Sequence, residues 1–177
     1  MEKIAFETAR LFALPLDLER DLENCFLLNR NAEVMRFIRP PAENPDSVRE
    51  RLSGFLPYLE RCPELGLFML FLKENGQFVG NCIGRHTDFD DENGDLELGY
   101  AFLPEFWGIG LASETVARLA AYLFEKSAEP RLVAFTDPGN LASEKVLMKN
   151  GFLKIGSREL PEGLSHVFER RRPWMKN

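Results

Sequence analysis

The chain has 177 residues, of which 45% are hydrophobic, and its 28 acidic residues outnumber its 22 lysines and arginines to give a formal charge of −6. This length suits one domain with a sizeable core, and we expect a single domain over residues 1–177. Nucleic acid is disfavoured as a partner, because an acidic protein would repel its phosphates on average. A cationic or neutral partner fits the charge better.

The cysteines and the apolar runs exclude further classes of protein. Cys25, Cys62 and Cys82 are scattered and form no CxxC pair, which argues against a disulfide framework and against a zinc site. No apolar run approaches the roughly 18 residues of a membrane-spanning helix, and the first ten residues lack the layout of a signal peptide. We therefore expect a cytoplasmic protein with no metal and no membrane association.

The first half of the chain predicts a strand, two long helices and a hairpin. The segment TARLFALPL predicts the first strand, and Asp17 stands where an N-cap would begin a helix. Beyond a short helical piece and a proline-rich break, apolar residues recur at helical spacing over 48–59, which predicts a second long helix capped by Asp46. The apolar segments LGLFMLFLK and QFVGNCIGRH predict a hairpin around ENG.

The second half predicts alternating strands and helices. An acidic turn at 88–95, expected to be solvated, leads into DLELGYAF, the fourth strand. A helix from Gly110 to about Lys126 and the buried fifth strand, RLVAFT, complete a βαβ unit. Asn140 caps a short helix, and two strands around PEG close the chain. The result is a mixed α/β or α+β sheet with helices packed on it.

Two glycines stand one residue apart where the fourth strand gives way to the helix. The first N–H groups of a helix lack an intrahelical acceptor, and the helix dipole favours negative charge there. Without side chains at Gly108 and Gly110, a diphosphate could approach the backbone of Ile109, Gly110, Leu111 and Ala112. The alternative is that the glycines only make a tight turn.

Two other phosphate-binding loops fit the spacing poorly. A P-loop requires a lysine that this turn lacks. A dinucleotide fingerprint needs a third glycine where Ser113 stands, and the acidic residue after the next strand, Asp137, comes later than usual. A nucleotide-binding oxidoreductase built on this turn is therefore a disfavoured alternative.

The motifs PEFWGIGLASE and NLASEKVLMKNGF, in this order, resemble the GNAT N-acetyltransferase superfamily, in particular its branch of ribosomal-protein-alanine N-acetyltransferases. The opening ETARLFALPL is similar to the T-x-R-L strand of that branch, so the resemblance covers nearly the whole chain. It implies an α+β fold whose central mixed, mostly antiparallel sheet is flanked by helices and splayed between the fourth and fifth strands.

The resemblance implies transfer of an acetyl group from acetyl-CoA to a primary amine. In the family the pyrophosphate lies on a Q/R-x-x-G-x-G/A loop, which Gly108 and Gly110 match. Glu105 stands at the Q/R position and supplies no positive or neutral side chain. The backbone amides can still bind the pyrophosphate, because their donors do not depend on residue 105.

The resemblance also assigns the coenzyme arm. In the family the arm lies between the two splayed strands, and a backbone N–H of the fourth, near Tyr100 to Phe102, would stabilise the oxyanion. The aromatic side chains there either line the acceptor channel or pack in the core. Asn140 matches an asparagine that binds the arm, and Ser143 a serine near the sulfur; ordinary helix capping is the alternative for both.

Two proton transfers need side chains. Many members carry a tyrosine as general acid where this chain has Leu147, so Ser143 is the remaining candidate to protonate the thiolate. The amine must lose a proton, which at pH 7 costs roughly 1.4 kcal/mol for an α-amino group and roughly 4.6 for a lysine-like amine. Glu97 is the candidate base, directly or through water; the alternative is an ordinary solvent-facing strand residue. His86 and His166 show no triad or metal pattern.

The favoured function is an acetyl-CoA-dependent N-acetyltransferase whose acceptor, a protein N-terminus or a small amine, attacks directly in a ternary complex. No covalent acyl-enzyme is expected, because no cysteine or serine has a recognisable base beside it. The main alternative is a catalytically weak CoA-binding regulatory module on the same fold. The oligomeric state stays open.

Overall fold

The computed structural model describes residues 3–88, 93–161 and 163–173. The strands are β1 (Phe6–Glu7), β2 (Leu11–Pro15), β3 (Gly66–Leu72), β4 (Phe78–Asp88), β5 (Asn93–Phe102), β6 (Arg131–Thr136), β7 (Leu153–Leu160) and β8 (Gly163–Arg171). The helices are α1 (Leu18–Asn29), α2 (Ala32–Met35), α3 (Pro45–Ser53), α4 (Leu56–Arg61), α5 (Leu111–Lys126) and α6 (Leu141–Lys149), and a 3₁₀ turn spans Pro104–Phe106.

The eight strands form one open sheet in the order β1-β2-β3-β4-β5-β6-β8-β7. Every neighbouring pair is antiparallel except β5 and β6, which run parallel. This arrangement confirms the predicted α+β class with a mixed, mostly antiparallel sheet. In the part of the chain that the structure describes, no helix is long and apolar enough to cross a membrane.

Strands β5 and β6 separate soon after they meet. Their parallel pairing is confined to Leu96 with Leu132 and Glu97 with Val133. The remainder of β5 keeps its pairing with β4 but has none with β6, so a wedge opens toward the carboxyl ends of the two strands. This is the predicted splay between the fourth and fifth strands, which are numbered β5 and β6 because the short strand β1 precedes them.

Helices cover both faces of the sheet. The face toward α5 and α6 buries Leu96 and Leu98 of β5 in a cluster with Val116 and Leu119 of α5. The opposite face packs on α1, α2 and α3, and Ala101 of β5 lies against that second cluster. Side chains alternate along a strand, so Glu97 shares the face of Ala101. The wedge therefore has an α5 side and an α1 side.

Three sequence predictions are wrong in detail. The second long helix is two helices, α3 and α4, because Gly54 and Phe55 interrupt the α-helical pattern. The cap of α3 is Asn44, whose side chain accepts from the N–H of Ser47, and not Asp46. The first strand is shorter than predicted, since residues 8–10 form a bend between β1 and β2.

Candidate active site

The N-terminus of α5 lies beneath the two predicted glycines. Gly108 and the N-cap Gly110 have φ values of +75° and +86°, in the left-handed region that favours glycine. A Cβ on Gly108 would meet nothing within 4 Å, and one on Gly110 would meet only Nη2 of Arg10, at 3.5 Å. No side chain caps the helix. The turn is therefore tight, as the alternative interpretation expected, and the space beside Gly108 is also open.

Arg10, near the start of the chain, binds this loop and the helix that follows it. Its Nη1 donates to the carbonyl oxygen of Ile109 over 2.9 Å, and its Nε donates to Glu114 Oε2 over 2.8 Å. The backbone N–H of Arg10 binds the second oxygen of Glu114, also over 2.8 Å. The bend before β2 thus holds both the glycine loop and the first turn of α5. Sequence reasoning used Arg10 only as part of T-x-R-L and missed this contact.

The end of β5 directs backbone donors into the wedge. The N–H of Leu103 donates to the carbonyl of Val79, on the β4 side. Backbone groups alternate along an antiparallel strand, so the N–H groups of Tyr100 and Phe102 point to the opposite edge, toward β6. The carbonyl of Phe102 accepts from Trp107 Nε1 over 2.7 Å, which fixes the loop against the strand.

Two hydroxyl groups meet on the α5 side of the wedge. Tyr100 Oη and Ser143 Oγ are 3.0 Å apart. Burial raises the pKa of Tyr100, although its hydrogen bond to Ser143 lowers it in part, so the phenol stays protonated beyond its ordinary range. Leu147, which stands where many relatives carry tyrosine, is fully buried in the core. The sequence placed Tyr100 on this strand but gave no sign of its contact with Ser143.

Asn140 caps α6 as the alternative reading expected. Its Oδ1 accepts from the N–H of Ser143 over 3.1 Å. At the other end of this helix, the side-chain amide of Asn150 donates to Ser113 Oγ over 3.1 Å and so joins α6 to the first turn of α5. A direct role of Asn140 toward a coenzyme stays a prediction.

Glu97 is not an ordinary solvent-facing residue. Its side chain is 18% exposed and accepts from Arg85 Nε over 3.1 Å. It lies on the α1 side of the sheet, at the point where β5 and β6 are about to part. The carboxylate thus lies at the root of the wedge, on the face opposite the hydroxyl pair.

Other polar groups have structural partners. His86 Nδ1 lies 3.1 Å from the hydroxyl of Tyr58, and His166 contacts Glu144. Within residues 3–88, 93–161 and 163–173, no group of three or more His, Cys, Asp or Glu could hold a metal ion.

Of the acidic turn, residues 89–92 lie outside the described residues. Asp95 differs from the prediction, because Arg131 binds both of its carboxylate oxygens.

Comparisons with known proteins identify the family. The model of the acetyltransferase (GNAT) domain matches residues 10–153. The chain is 30% identical to the uncharacterized N-acetyltransferase YoaA of Bacillus subtilis (strain 168) over 154 residues, which cover 85% of this chain and 83% of YoaA. The chain therefore belongs to the GNAT acetyltransferase family. As a member of this family, it is an N-acetyltransferase.

Solved structures share the fold. A structure of RimL, a ribosomal alpha-N-protein acetyltransferase in complex with coenzyme A, superposes with a TM-score of 0.77 at 16% identity and covers 96% of this chain and 98% of its own. The spermidine N-acetyltransferase of Vibrio cholerae, in complex with CoA and spermine, gives a TM-score of 0.73 at 17% identity and covers 91% of this chain and 95% of its own.

Proposed function

We propose that the chain transfers the acetyl group of acetyl-CoA to a primary amine by direct attack within a ternary complex. One observation carries the proposal: the start of α5 has no side-chain cap and open space at Gly108, and it follows the strand that forms one wall of the wedge between β5 and β6. Family membership and the CoA held by two proteins of the same fold support it. The acceptor class is not given by these relatives, since one is named for a protein terminus and one for a polyamine.

The loop would bind the coenzyme pyrophosphate through backbone donors. The amides of residues 109–112 lie at the positive end of the α5 dipole, where an anion is stabilised. Exposed Glu105 adds no cationic side chain. Arg10 compensates indirectly, because it holds the carbonyl of Ile109 and so keeps the neighbouring amides turned toward the ligand.

The wedge would hold the pantetheine arm as an additional strand. The N–H groups of Tyr100 and Phe102 face that space and have no strand partner there. One of them would donate to the thioester carbonyl and stabilise the negative charge that its oxygen acquires during attack. Asn140, at the opposite rim, would contact the same arm.

The two proton transfers would occur on opposite faces of the sheet. The amine attacks the thioester carbon, its surplus proton leaves toward Glu97 directly or through water, and the carbon–sulfur bond breaks. Ser143 and Tyr100 would return a proton to the departing sulfur. The raised pKa of Tyr100 keeps that proton available. No covalent enzyme intermediate is required.

A screen of amines tests the proposal. Purified protein is incubated with acetyl-CoA and a panel of peptides with unblocked N-termini, amino acids, polyamines and aminoglycosides, and release of the coenzyme thiol is measured. Release that depends on a particular amine supports transfer. Coenzyme binding with no turnover on any amine would instead favour a regulatory module, for which the buried Leu147 at the tyrosine position is the specific observation. The predicted cytoplasmic location stays a prediction.

A further inference from the structure

A small cleft opens on the α1 side of the protein, away from the glycine loop. It has a volume of about 270 Å³ and lies between the end of α1, the segment 39–44 and the first turns of α3. The polar residues that line it include Asn29, Arg39, Glu43, Ser47 and Arg51. None of these residues has a part in the proposed transfer.

Within the described part of the chain, the two arginines in this cleft have no carboxylate partner. Arg39 Nε is buried and has no hydrogen-bond partner, and Arg51 donates to the neutral amide oxygen of Asn29 over 2.9 Å. Among the described residues no acidic side chain forms an ion pair with either, although the chain carries six more acidic than basic residues and pairs many other arginines.

The charges of these arginines are close enough to repel each other. Desolvation lowers the pKa of Arg51, and the nearby charges of Arg39 and Arg85 lower it further. Arg39 is partly buried and Arg51 is exposed, so water screens part of the repulsion between the two guanidinium groups but does not neutralise them. Glu43 also lines the cleft, but it forms no ion pair with either arginine. The local charge is thus positive, opposite in sign to the net charge.

Two observations relate the cleft to the wedge. Arg85, whose charge reaches Arg51, is the residue that binds Glu97. Phe37 comes two residues before Arg39 in the sequence. Its ring lies 3.1 Å from the position that a Cβ on Gly139 would occupy. Gly139 belongs to the loop between β6 and α6, at the open end of the wedge.

We propose that Arg39 and Arg51 form an anion subsite that binds a carboxylate or phosphate group of the acceptor. This inference rests on the proposed acetyl transfer and names its substrate class: an amine that carries an acidic group. Guanidinium groups suit this role because they donate in a planar fork that matches both anions. Polyamines, whose further charges are positive, would be disfavoured.

Matched peptides test the assignment. The acceptors are short peptide amides with an unblocked N-terminus and one glutamate, phosphoserine or glutamine at the second, third or fourth position. An acidic residue at one position should raise kcat/KM at least about tenfold over glutamine, as expected for charge-assisted hydrogen bonds. The glutamate and phosphoserine arms distinguish the two anions.

Three variants identify the cleft as the cause. The advantage of the acidic peptide should disappear in the double variant Arg39→Gln/Arg51→Gln and increase in Glu43→Gln. The advantage should persist in the control variant Arg49→Gln. Arg49 lies on α3, the same helix as Arg51, and its guanidinium pairs with Glu19. No acidic advantage at any position, or an advantage that survives in the double variant, would overturn the proposal.

A binding experiment separates this inference from the proposed function. The Nε–H signal of Arg39 is followed by NMR while inorganic phosphate or glutarate is added to protein saturated with CoA, which keeps the glycine loop occupied. A saturable shift that Arg51→Gln weakens supports the subsite even if no peptide is acetylated, in which case only the proposed function fails. Absence of any shift contradicts the subsite whatever the activity.

Discussion

Arg10 and Glu114, 104 residues apart in sequence, form a two-point contact in which the backbone N–H and the guanidinium of one residue bind the two carboxylate oxygens of the other. The same guanidinium holds the carbonyl of Ile109. The ion pair thereby connects the first part of the chain to the loop assigned to the coenzyme. We infer from this geometry that Arg10 positions the backbone donors of that loop.

Removal of this contact should weaken coenzyme binding more than turnover. We expect Arg10→Ala and Glu114→Gln to raise the KM for acetyl-CoA roughly tenfold, the effect of losing about 1.4 kcal/mol of loop positioning, with a smaller change in kcat. Arg10→Lys should recover little, because lysine lacks the planar fork. Equal losses in kcat and kcat/KM would contradict a positioning role.

The same pair predicts an acid-sensitive part of stability. Burial opposes ionisation of Glu114, but hydrogen bonds from Thr8 and Arg10 outweigh it and lower the pKa of the carboxyl below its ordinary 4.5. Its contribution is therefore present above that value and is lost as pH falls through the lowered pKa. The melting temperature of Glu114→Gln should approach that of the wild type at low pH; a constant difference down to low pH would contradict this.

Substitution at Gly110 should abolish coenzyme binding. Valine there fills the space above the amides and strains a backbone with φ +86°. Gly76→Val is the matched control, since Gly76 has φ +72° and open surroundings but lies in the β3–β4 turn. Calorimetry should show binding in the control and none in Gly110→Val. Unchanged affinity in Gly110→Val would contradict the assigned loop.

Loss of either hydroxyl in the wedge should slow the chemical step. Tyr100→Phe and Ser143→Ala are expected to lower kcat by roughly 10² while KM for acetyl-CoA changes little, the range of general acid catalysis. Because burial raises the pKa of Tyr100, the wild-type rate should hold beyond pH 10.0, the ordinary value of that phenol. Tyr122→Phe is the control, since that hydroxyl binds the backbone of Glu64. Full activity in Tyr100→Phe leaves Ser143 or solvent as the proton donor.

Replacement of Glu97 should affect basic acceptors most. Glu97→Gln removes the candidate base, and a lysine-like amine costs roughly 3 kcal/mol more to deprotonate at pH 7 than an α-amine. We expect a larger loss of kcat for the former and partial recovery of both rates at higher pH. Stopped assays from pH 6 to 9 measure this, and pH-independent losses of equal size would exclude a base at this position.

Local signals in the sequence predicted most of the fold. The caps Asp17 and Asn140 bind N–H groups of their own helices, as expected, and α5 begins at Leu111, one residue after the predicted start at Gly110. These features depend on neighbours within a few residues. The break at Gly54 was missed because the apolar spacing continues through it, and the hydrogen-bond pattern rather than the apolar pattern decides where a helix ends.

Sequence motifs predicted one part of the candidate site. The part that depends on contacts between distant residues was missed. The glycine loop and the splay followed from motifs, whereas the pairs Arg10 with Glu114 and Tyr100 with Ser143 join segments that no spacing relates. The cleft of Arg39 and Arg51 was equally hidden, because a missing counter-ion becomes visible only once the surrounding elements are packed.

Strands β5 and β6 pair through only two residues each in the described part of the chain, and this short pairing affects how fast their amide hydrogens exchange. Beyond these two pairs, the amide hydrogens of β5 that point toward β6 have no neighbouring strand on that side, and they should exchange with solvent faster than the amide hydrogens of β5 that bind β4. An inserted coenzyme arm would close that edge, slow the exchange of Tyr100 and Phe102 specifically, and fasten the five N-terminal strands to the three that follow.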